Sequence, residues 1–266
     1  MTEATLRNIH FYDEFARYYC EVYRFLDAEA TVSQWVELFE REGLVPPLER
    51  RLESRPHLLD AACGPGWFLV AWAQAGFDVD GLDASVCMQL LAIEEWRRRF
   101  PDKPHPVSFG CLGFENGTPL FLLKPMDVVV CHSHLPNLIH PADLPLFFQD
   151  LIAYLRPGGL LAFDHSRIVS STPEGSEEHP LPSGGVLVRT SRYDPATRTC
   201  VQRWEGDSFS GEETYWFHDP ADLDKMAENH GARLWKRLEW RPNQPDQPFH
   251  PATATSERLV SLYRRI

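Results

Sequence analysis

The sequence predicts an α/β fold with a mostly parallel sheet, on three observations. Apolar runs of strand length alternate with helical patterns from His57 to His165. A glycine turn, "CGPG", separates the first of these runs from the first helix, and the first two runs end in Asp60 and Asp83. Strands that alternate with helices pair in parallel through right-handed crossovers. Their carboxyl ends then share one edge of the sheet, where open α/β folds bind ligands.

The elements up to His165 follow from periodicity and from breaker residues. The aromatic-rich residues 9–43 predict one or two helices that end at Gly43, before Pro46 and Pro47. The predicted strands are "HLLDAA", "FDVDGLD", "PVSFGCL", "MDVVVCHS" and "LLAFDH". The predicted helices cover 67–75, 84–100 and 144–155.

The character of the chain changes after His165. Residues 170–185 are polar and rich in proline and glycine, so they predict a loop. "GVLVRTSRYDPATRTCVQRWEG" predicts a hairpin that turns at Asp194, and "ETYWFH" predicts a third antiparallel strand. The next helix is predicted to begin at Asp219 and to end at Gly231. The strands "ARLWKRLEW" and "ERLVSLYRRI" follow, joined by the proline-rich loop "RPNQPDQPFHPA".

The composition excludes several classes of protein. A net charge of −12 argues against a nucleic-acid partner, because binding a phosphate backbone needs a basic surface. The 6 cysteines show no C-x-x-C pair and no His/Cys ligand spacing, so no metal site is predicted. No apolar run approaches the roughly 20 residues that cross a membrane, and no signal peptide is visible. The sequence therefore predicts a cytoplasmic protein without a membrane partner.

The glycine turn and its flanking acids indicate the kind of cofactor. The nicotinamide fingerprint requires three glycines as G-x-G-x-x-G, but here Gly64 and Gly66 are followed by Leu69 at the third position. Asp60 directly before the turn suits a cationic amino-acid group better than a pyrophosphate. Asp83 suits ribose hydroxyls in either cofactor. A nicotinamide-dependent enzyme is therefore disfavoured on these residues but stays open.

These residues resemble the signatures of class I S-adenosylmethionine-dependent methyltransferases. "LLDAACGPG" and "GLDAS" resemble the first two signatures, and "LRPGGLLAFD" resembles the turn and fifth strand. The resemblance is closest to the glycine N-methyltransferase-like group, through "ACGPG", "AGFDVDGLDASVCM", "EEWRRR", "VVVCHSHLPNL" and "RPGGLLAFDH". It implies a Rossmann-like, seven-stranded, mostly parallel sheet with an antiparallel last strand. It also implies three parts: an N-terminal helical lid at 1–50, a methyltransferase domain at 51–168 and 218–266, and an antiparallel β insertion at 169–217 that covers the active site.

The resemblance implies S-adenosylmethionine as the cofactor and assigns residues to it. Asp60, Ala62 and Gly64 would lie along the methionine part, Gly66 would open the helix, and Asp83 would bind both ribose hydroxyls. The other implied contacts are Ala84 and Met88 near the adenine, Cys111 and Leu112 at its edge, and His132 near the sulfonium. The third strand departs from the family pattern, because it offers only Cys111 as a polar partner for the adenine.

Candidate catalytic residues follow the fourth strand and lie on the N-terminal helix. His132 and His134 have side chains in the right pKa range for base chemistry, with a structural, hydrogen-bonded role as the alternative. Tyr18 belongs to an aromatic stripe on the segment that the resemblance makes a lid. It is the tyrosine predicted to reach the active site.

Three further residues are candidates for substrate binding. Trp67, directly after Gly66, could narrow the acceptor pocket, with core packing as the alternative. Arg167 and Arg189 could clamp a substrate carboxylate by bidentate hydrogen bonds. The resembling group has arginine where this chain has Ser166, so Arg167 stands one position late and a glycine-type acceptor is in doubt.

The predicted function is S-adenosylmethionine-dependent transfer of a methyl group to a small molecule, with an amine nitrogen as the favoured acceptor. The reaction is an in-line displacement whose rate depends mainly on positioning. One alternative uses the same cofactor for intramolecular alkylation or cyclisation, or for transfer to oxygen or carbon. Others are an NAD(P)-dependent oxidoreductase and a non-catalytic cofactor-binding protein. The predicted partner is the small-molecule acceptor, and a homo-oligomer is a possible assembly.

Overall fold

The computed structural model describes residues 1–104, 124–167, 174–241, 244 and 247–266. The helices in these ranges are α1 (Glu3–Val22), α2 (Ala28–Arg41), α3 (Leu48–Glu53), α4 (Trp67–Gln74), α5 (Val86–Arg99), α6 (Leu144–Tyr154) and α7 (Pro220–Asn229). The strands are β1 (His57–Ala61), β2 (Asp78–Leu82), β3 (Met126–Cys131), β4 (Leu155–Ser166), β5 (Gly175–Pro180), β6 (Val186–Asp194), β7 (Thr199–Gly206), β8 (Phe209–Trp216), β9 (Ala232–Trp240), β10 (Phe249–Pro251) and β11 (Arg258–Arg265).

The larger of two sheets has seven strands among the described residues, in the order β10-β9-β11-β4-β3-β1-β2. β2, β1, β3 and β4 are parallel neighbours. β11 runs antiparallel between β4 and β9. The predicted Rossmann-like, mostly parallel sheet with an antiparallel last strand is therefore confirmed. The predicted strand "PVSFGCL" lies outside the described residues.

Successive residues of the parallel strands face opposite sides of this sheet. In β1, Leu58 packs with side chains of α2, α4 and α5, whereas Leu59 packs with those of α6 and α7. Both leucines are fully buried. Burial on both faces explains why these strands are continuous apolar runs in the sequence rather than alternating ones.

The smaller sheet is antiparallel throughout, in the order β5-β6-β7-β8. Its apolar face packs on α1, where Phe11 and Phe15 meet Leu187, Trp204 and Phe209. This packing holds α1 between the two sheets. The N-terminal helix and the inserted hairpin therefore form one layer over the carboxyl ends of the parallel strands.

Two segments that the sequence predicts to be loops contain strands. β5 lies within 170–185, where "GSEEHP" has no apolar alternation because it pairs through its backbone and exposes nearly every side chain. β10 lies in the proline-rich segment, where Phe249 pairs with Trp240 at the edge of the large sheet. An edge strand tolerates proline, since one side of its backbone has no neighbour to bond.

Gly66 marks a sharp entry into α4. It is the N-cap residue and has a φ of 82°, in the left-handed region that favours glycine. A Cβ at this position would lie 2.9 Å from the Cα atom of Ala92 in α5. The glycine therefore allows α4 and α5 to pack closely beside the turn that follows β1.

Candidate active site

Two adjoining cavities lie at the carboxyl ends of the parallel strands, beneath α1. The first cavity encloses about 790 Å³. Its wall includes Ala62, Gly64, Asp83, Ala84, Met88 and His132. The second cavity encloses about 1430 Å³. Its wall includes His134, Ser166, Arg167, Arg189, Tyr215 and Arg258. Tyr12, Tyr19 and Ser133 line both cavities, so the two meet at these residues.

The turn after β1 forms one side of the first cavity. Ala62, Gly64 and Gly66 all have positive φ angles, of 60°, 53° and 82°. Alternate left-handed residues fold the chain back tightly, which brings the backbone close to the cavity. The amide of Gly64 donates to the Oδ2 atom of Asp83 at 2.7 Å, so the turn and the end of β2 are joined directly.

Asp83 presents a buried carboxylate to the first cavity. Its Oδ1 atom accepts a hydrogen bond from the amide of Ser85 at 2.8 Å, and its Oδ2 atom accepts the bond from Gly64. Burial raises the pKa of Asp83 to about 6, against the opposing effect of these backbone bonds. The amide of Ala84 is a third backbone donor to this carboxylate. Because a carboxylate offers about four acceptor sites, Asp83 can accept about one more hydrogen bond from a ligand.

Asp60 lies at the end of β1, behind the wall of the first cavity. It is 1% exposed, and its Oδ2 atom has no hydrogen-bond partner among the described residues. Burial, together with the nearby Asp83, raises the pKa of its carboxyl group. A buried carboxyl oxygen without a partner is costly, so a cationic donor at this position would be stabilising.

His132 is a neutral wall residue of the first cavity. Its Nε2 atom accepts a hydrogen bond from the indole Nε1 of Trp72 at 3.0 Å, and its ring stacks on Phe68 with centroids 4.4 Å apart. Burial lowers the pKa of His132 to about 4. Because Trp72 already occupies the accepting nitrogen, the arrangement favours a structural role over proton abstraction.

His134 is the histidine that faces the second cavity. Its Nδ1 atom lies 3.2 Å from the Oδ2 atom of Asp164 and 3.1 Å from the Oγ atom of Ser166. Burial lowers the pKa of His134 to about 4, although Asp164 acts in the opposite direction. A proton on Nδ1 is favoured by the carboxylate, which leaves Nε2 as the accepting nitrogen.

Asp164 is fully buried and contacts the side chains of His134 and Arg258. Besides His134, it accepts a hydrogen bond from the Nη2 atom of Arg258 at 3.0 Å. Burial alone would raise the pKa of Asp164, but His134 and Arg258 outweigh this effect and lower it. The carboxylate therefore fixes the orientation of His134 and connects β4 to β11.

Tyr18, the tyrosine that the sequence predicts to reach the site, lies outside both cavities. Its hydroxyl group is hydrogen-bonded to the Oγ atom of Ser208 at 2.8 Å. Tyr12 and Tyr19 line both cavities instead, and Tyr23 lines the second. Positions 12, 19 and 23 share one face of a helix, since steps of seven and four residues return to the same side, and Tyr18 falls beside that face.

The predicted substrate residues are only partly brought together. Arg167 and Arg189 line the second cavity. The Nη2 atom of Arg189 donates to Glu177 at 2.6 Å, while its buried Nε atom has no partner among the described residues. Trp67 packs 5.8 Å from Tyr19 between ring centroids and does not line either cavity. Two predicted cofactor contacts, Cys111 and Leu112, lie outside the described residues.

Polar side chains on α1 that the sequence analysis did not single out anchor this helix over the cavities. The side chain of Asn8 donates to the carbonyl oxygens of Leu138 and Thr214. Asp13 accepts a hydrogen bond from the Oγ atom of Ser85 at 2.6 Å. Asn8 and Tyr12 are four residues apart and therefore lie on the same, apolar face of α1. A polar side chain on an apolar helix face is the sequence signal that could have identified these anchors.

Neither a metal site nor a membrane span is found in the described part of the chain. No three His, Cys, Asp or Glu side chains there are grouped so that they could hold a metal ion. No described helix is both long and apolar enough to cross a bilayer.

Comparison with known proteins identifies the domain that forms the first cavity. A family described as a methyltransferase domain matches residues 58–159. Glycine N-methyltransferase of Mus musculus is 33% identical over 120 residues, which cover 41% of this chain and 39% of the mouse protein. The chain contains a class I S-adenosylmethionine-dependent methyltransferase domain. The chain thus spans about two fifths of the length of this relative.

Solved structures resemble nearly the whole chain. An S-adenosylmethionine-dependent methyltransferase from Clostridium acetobutylicum has a TM-score of 0.72 at 15% identity, covering 96% of this chain and 98% of that one. CalS10, an amino pentose methyltransferase from Micromonospora echinaspora solved with the cofactor bound, has a TM-score of 0.61 at 19% identity and covers 91% and 93%. At these identities the likeness shows the fold alone.

The first cavity fits S-adenosylmethionine, the cofactor that these comparisons support. Asp83 lines this cavity and has an acceptor site left for a ribose hydroxyl. Asp60 does not line it, so the predicted contact of Asp60 with the amino-acid part stays a prediction. Leu69, at the place of the third nicotinamide-fingerprint glycine, is fully buried and packs against Gly81. The close approach of helix and strand that a third glycine allows in the nicotinamide fingerprint is therefore not built there.

Proposed function

We propose that this methyltransferase transfers a methyl group to the nitrogen of a small-molecule amine. The observation that carries the proposal is the pair of adjoining cavities, which meet at Tyr12, Tyr19 and Ser133. The first fits the cofactor, and the second offers a space for the acceptor beside it. When bound, S-adenosylmethionine supplies a sulfonium-activated methyl group. The protein has mainly to hold the two molecules in line.

The walls of the second cavity support a small acceptor that carries an anionic group. Arg167 and Arg189 lie in this wall, and an arginine fork can bind a carboxylate in bidentate fashion. Relatives with amine acceptors in their names, a glycine N-methyltransferase and an amino pentose methyltransferase, support nitrogen as the accepting atom. The lid α1 and the smaller sheet close the cavity against larger partners, which also supports a small-molecule substrate.

His134 has the properties of a hydrogen-bond acceptor for an amine. Its low pKa keeps the imidazole neutral near pH 7, and the contact with Asp164 leaves Nε2 accepting. An amine in its free-base form needs no strong base, so a neutral acceptor that orients its N–H group is sufficient. A hydroxyl or carbon acceptor would instead need proton removal during transfer.

The substitution His134→Gln tests this assignment. We expect turnover to fall about tenfold, the typical value of one lost hydrogen bond. The ratio of wild-type to variant rates should stay constant from about pH 6 to 9, because His134 gains a proton only as the pH falls through about 4. The measurement is the rate of S-adenosylhomocysteine formation with a panel of amino acids and amino sugars. His10→Gln, an exposed position on α1, is the matched control.

The same experiment separates the alternatives. A loss of about a hundredfold or more would favour general-base catalysis, and hence an oxygen or carbon acceptor. The Asp164–His134 pair is the observation that keeps this alternative in view. An unchanged rate would give His134 a structural role only. The protein is also incubated with S-adenosylmethionine alone, and the cofactor is monitored by mass spectrometry. Conversion of the cofactor in the absence of any acceptor would indicate intramolecular alkylation.

A further inference from the structure

Glu213 is a buried acid beside the junction of the two cavities. It lies on β8 and is 1% exposed. Its Oε2 atom accepts a hydrogen bond from the hydroxyl of Tyr12 at 2.8 Å, and its Oε1 atom accepts one from the indole of Trp204 at 3.1 Å. The hydroxyl of Tyr215 is a third partner. No part of the sequence analysis assigned a role to this residue.

The hydrogen bonds around Glu213 favour its ionised form. Burial raises the pKa of the carboxyl group above its ordinary value, and Tyr12, Trp204, Tyr215 and the charge of Arg189 reduce this rise without cancelling it. Each of these neighbours is a donor or a cation. A protonated carboxyl group would need an acceptor for its own hydrogen, whereas a carboxylate uses the donors that are present.

Tyr12 connects this carboxylate to the ligand-binding space. Its hydroxyl donates its hydrogen to Glu213, and Tyr12 lines both cavities. Burial is the main cause of the raised pKa values of Tyr12 and Tyr19, and the charge of Glu213 adds to both. Both tyrosines therefore lie within the field of this charge and stay neutral.

We propose that Glu213 is a positioning residue that makes the junction of the two cavities selective for positive charge. The inference rests on the proposed function, in which the charged centre at this junction is first a sulfonium and then the methylated nitrogen. In the transfer the carbon–sulfur bond breaks with its electron pair on sulfur, and the nitrogen lone pair forms the new bond. The neutral by-product S-adenosylhomocysteine gains nothing from the carboxylate.

A purely structural role for Glu213 makes a different prediction. The Tyr12 contact also ties α1 to β8, so loss of Glu213 could loosen the lid. A loosened lid would lower the affinities for the charged cofactor and for its neutral by-product by the same factor, since both occupy the same cavity. The ratio of the two affinities therefore reports the charge effect and is unaffected by the lid.

The experiment measures the dissociation constants of S-adenosylmethionine and S-adenosylhomocysteine by calorimetry for wild type and Glu213→Gln. We expect the variant to bind S-adenosylmethionine about five- to tenfold more weakly, as for one unit charge acting over several ångströms at a partly screened site. Affinity for S-adenosylhomocysteine should change by less than about twofold. Glu212→Gln, the exposed neighbour on the same strand, should change neither value.

An equal loss of affinity for both ligands, or no change in either affinity, would overturn the inference. If Glu213→Gln does not fold, Glu213→Asp is the second variant, because it keeps the charge at this position and shortens only the side chain. The ratio of the two affinities should then stay within about twofold of wild type, and a lower ratio with the charge retained would contradict the proposal. Failure of the wild type to bind either ligand would instead overturn the proposed function.

Discussion

Replacing Asp83 with alanine is expected to weaken S-adenosylmethionine binding by about 10- to 100-fold. The carboxylate keeps about one acceptor site after its bonds to the amides of Gly64, Ser85 and Ala84, and a ribose hydroxyl would use it. Hydrogen bonds to a charged group contribute about 1.5–3 kcal/mol each, and each 1.4 kcal/mol is tenfold in affinity. Isothermal titration calorimetry of the purified variant with the cofactor measures the change.

Asp78→Ala is the control for this prediction. Asp78 lies at the other end of β2, and 55% of its side chain is exposed. Its replacement should leave the cofactor affinity within about twofold, since a surface ion pair contributes little. Thermal unfolding of both variants must show that each is folded at the titration temperature. Affinity of Asp83→Ala close to that of wild type would contradict the assignment of Asp83 to the ribose.

Replacing Asp164 with asparagine is expected to lower the free energy of unfolding by about 3 kcal/mol. The carboxylate is fully buried between His134 and Arg258, and its removal leaves the guanidinium without its anionic partner. Breaking a buried pair by removing one member typically costs about 3–5 kcal/mol. The lower value applies because the Arg258 side chain is 32% exposed and lies 3.9 Å above the ring of Trp240. Urea unfolding monitored by circular dichroism measures the loss.

An exposed ion pair gives the matched control. Glu205 and Arg203 lie 2.8 Å apart with 53% and 58% of their side chains exposed. Glu205→Gln should change the free energy of unfolding by less than about 1 kcal/mol. If Asp164→Asn is no less stable than this control, the buried pair does not hold β4 to β11 as inferred.

The parallel core was predictable because its physical causes are local. Burial on both faces gives β1 and β3 consecutive apolar residues, and the glycine turn before α4 is a run of neighbouring residues in the sequence. β5 and β10 were missed because their pairing depends on a neighbouring strand. Neither "GSEEHP" nor "FHP" carries an apolar alternation of its own.

The site was predictable where a residue follows a strand and not where it depends on packing. Gly64 and Asp83 stand at strand ends, and the structure brings them into contact. Tyr18 was singled out over Tyr12 because the stripe on α1 does not show which side meets the sheets. Glu213 could not be found at all, since its contact with Tyr12 joins residues 201 positions apart.

The most direct test of the account is a parallel calorimetric titration of the wild-type protein with S-adenosylmethionine, S-adenosylhomocysteine and NADH. The first cavity, with Asp60 and Asp83 beside it and Leu69 packed in the core, predicts binding of the two adenosyl ligands and none of NADH. Tight binding of NADH in preference to both would contradict the assignment of this cavity to S-adenosylmethionine.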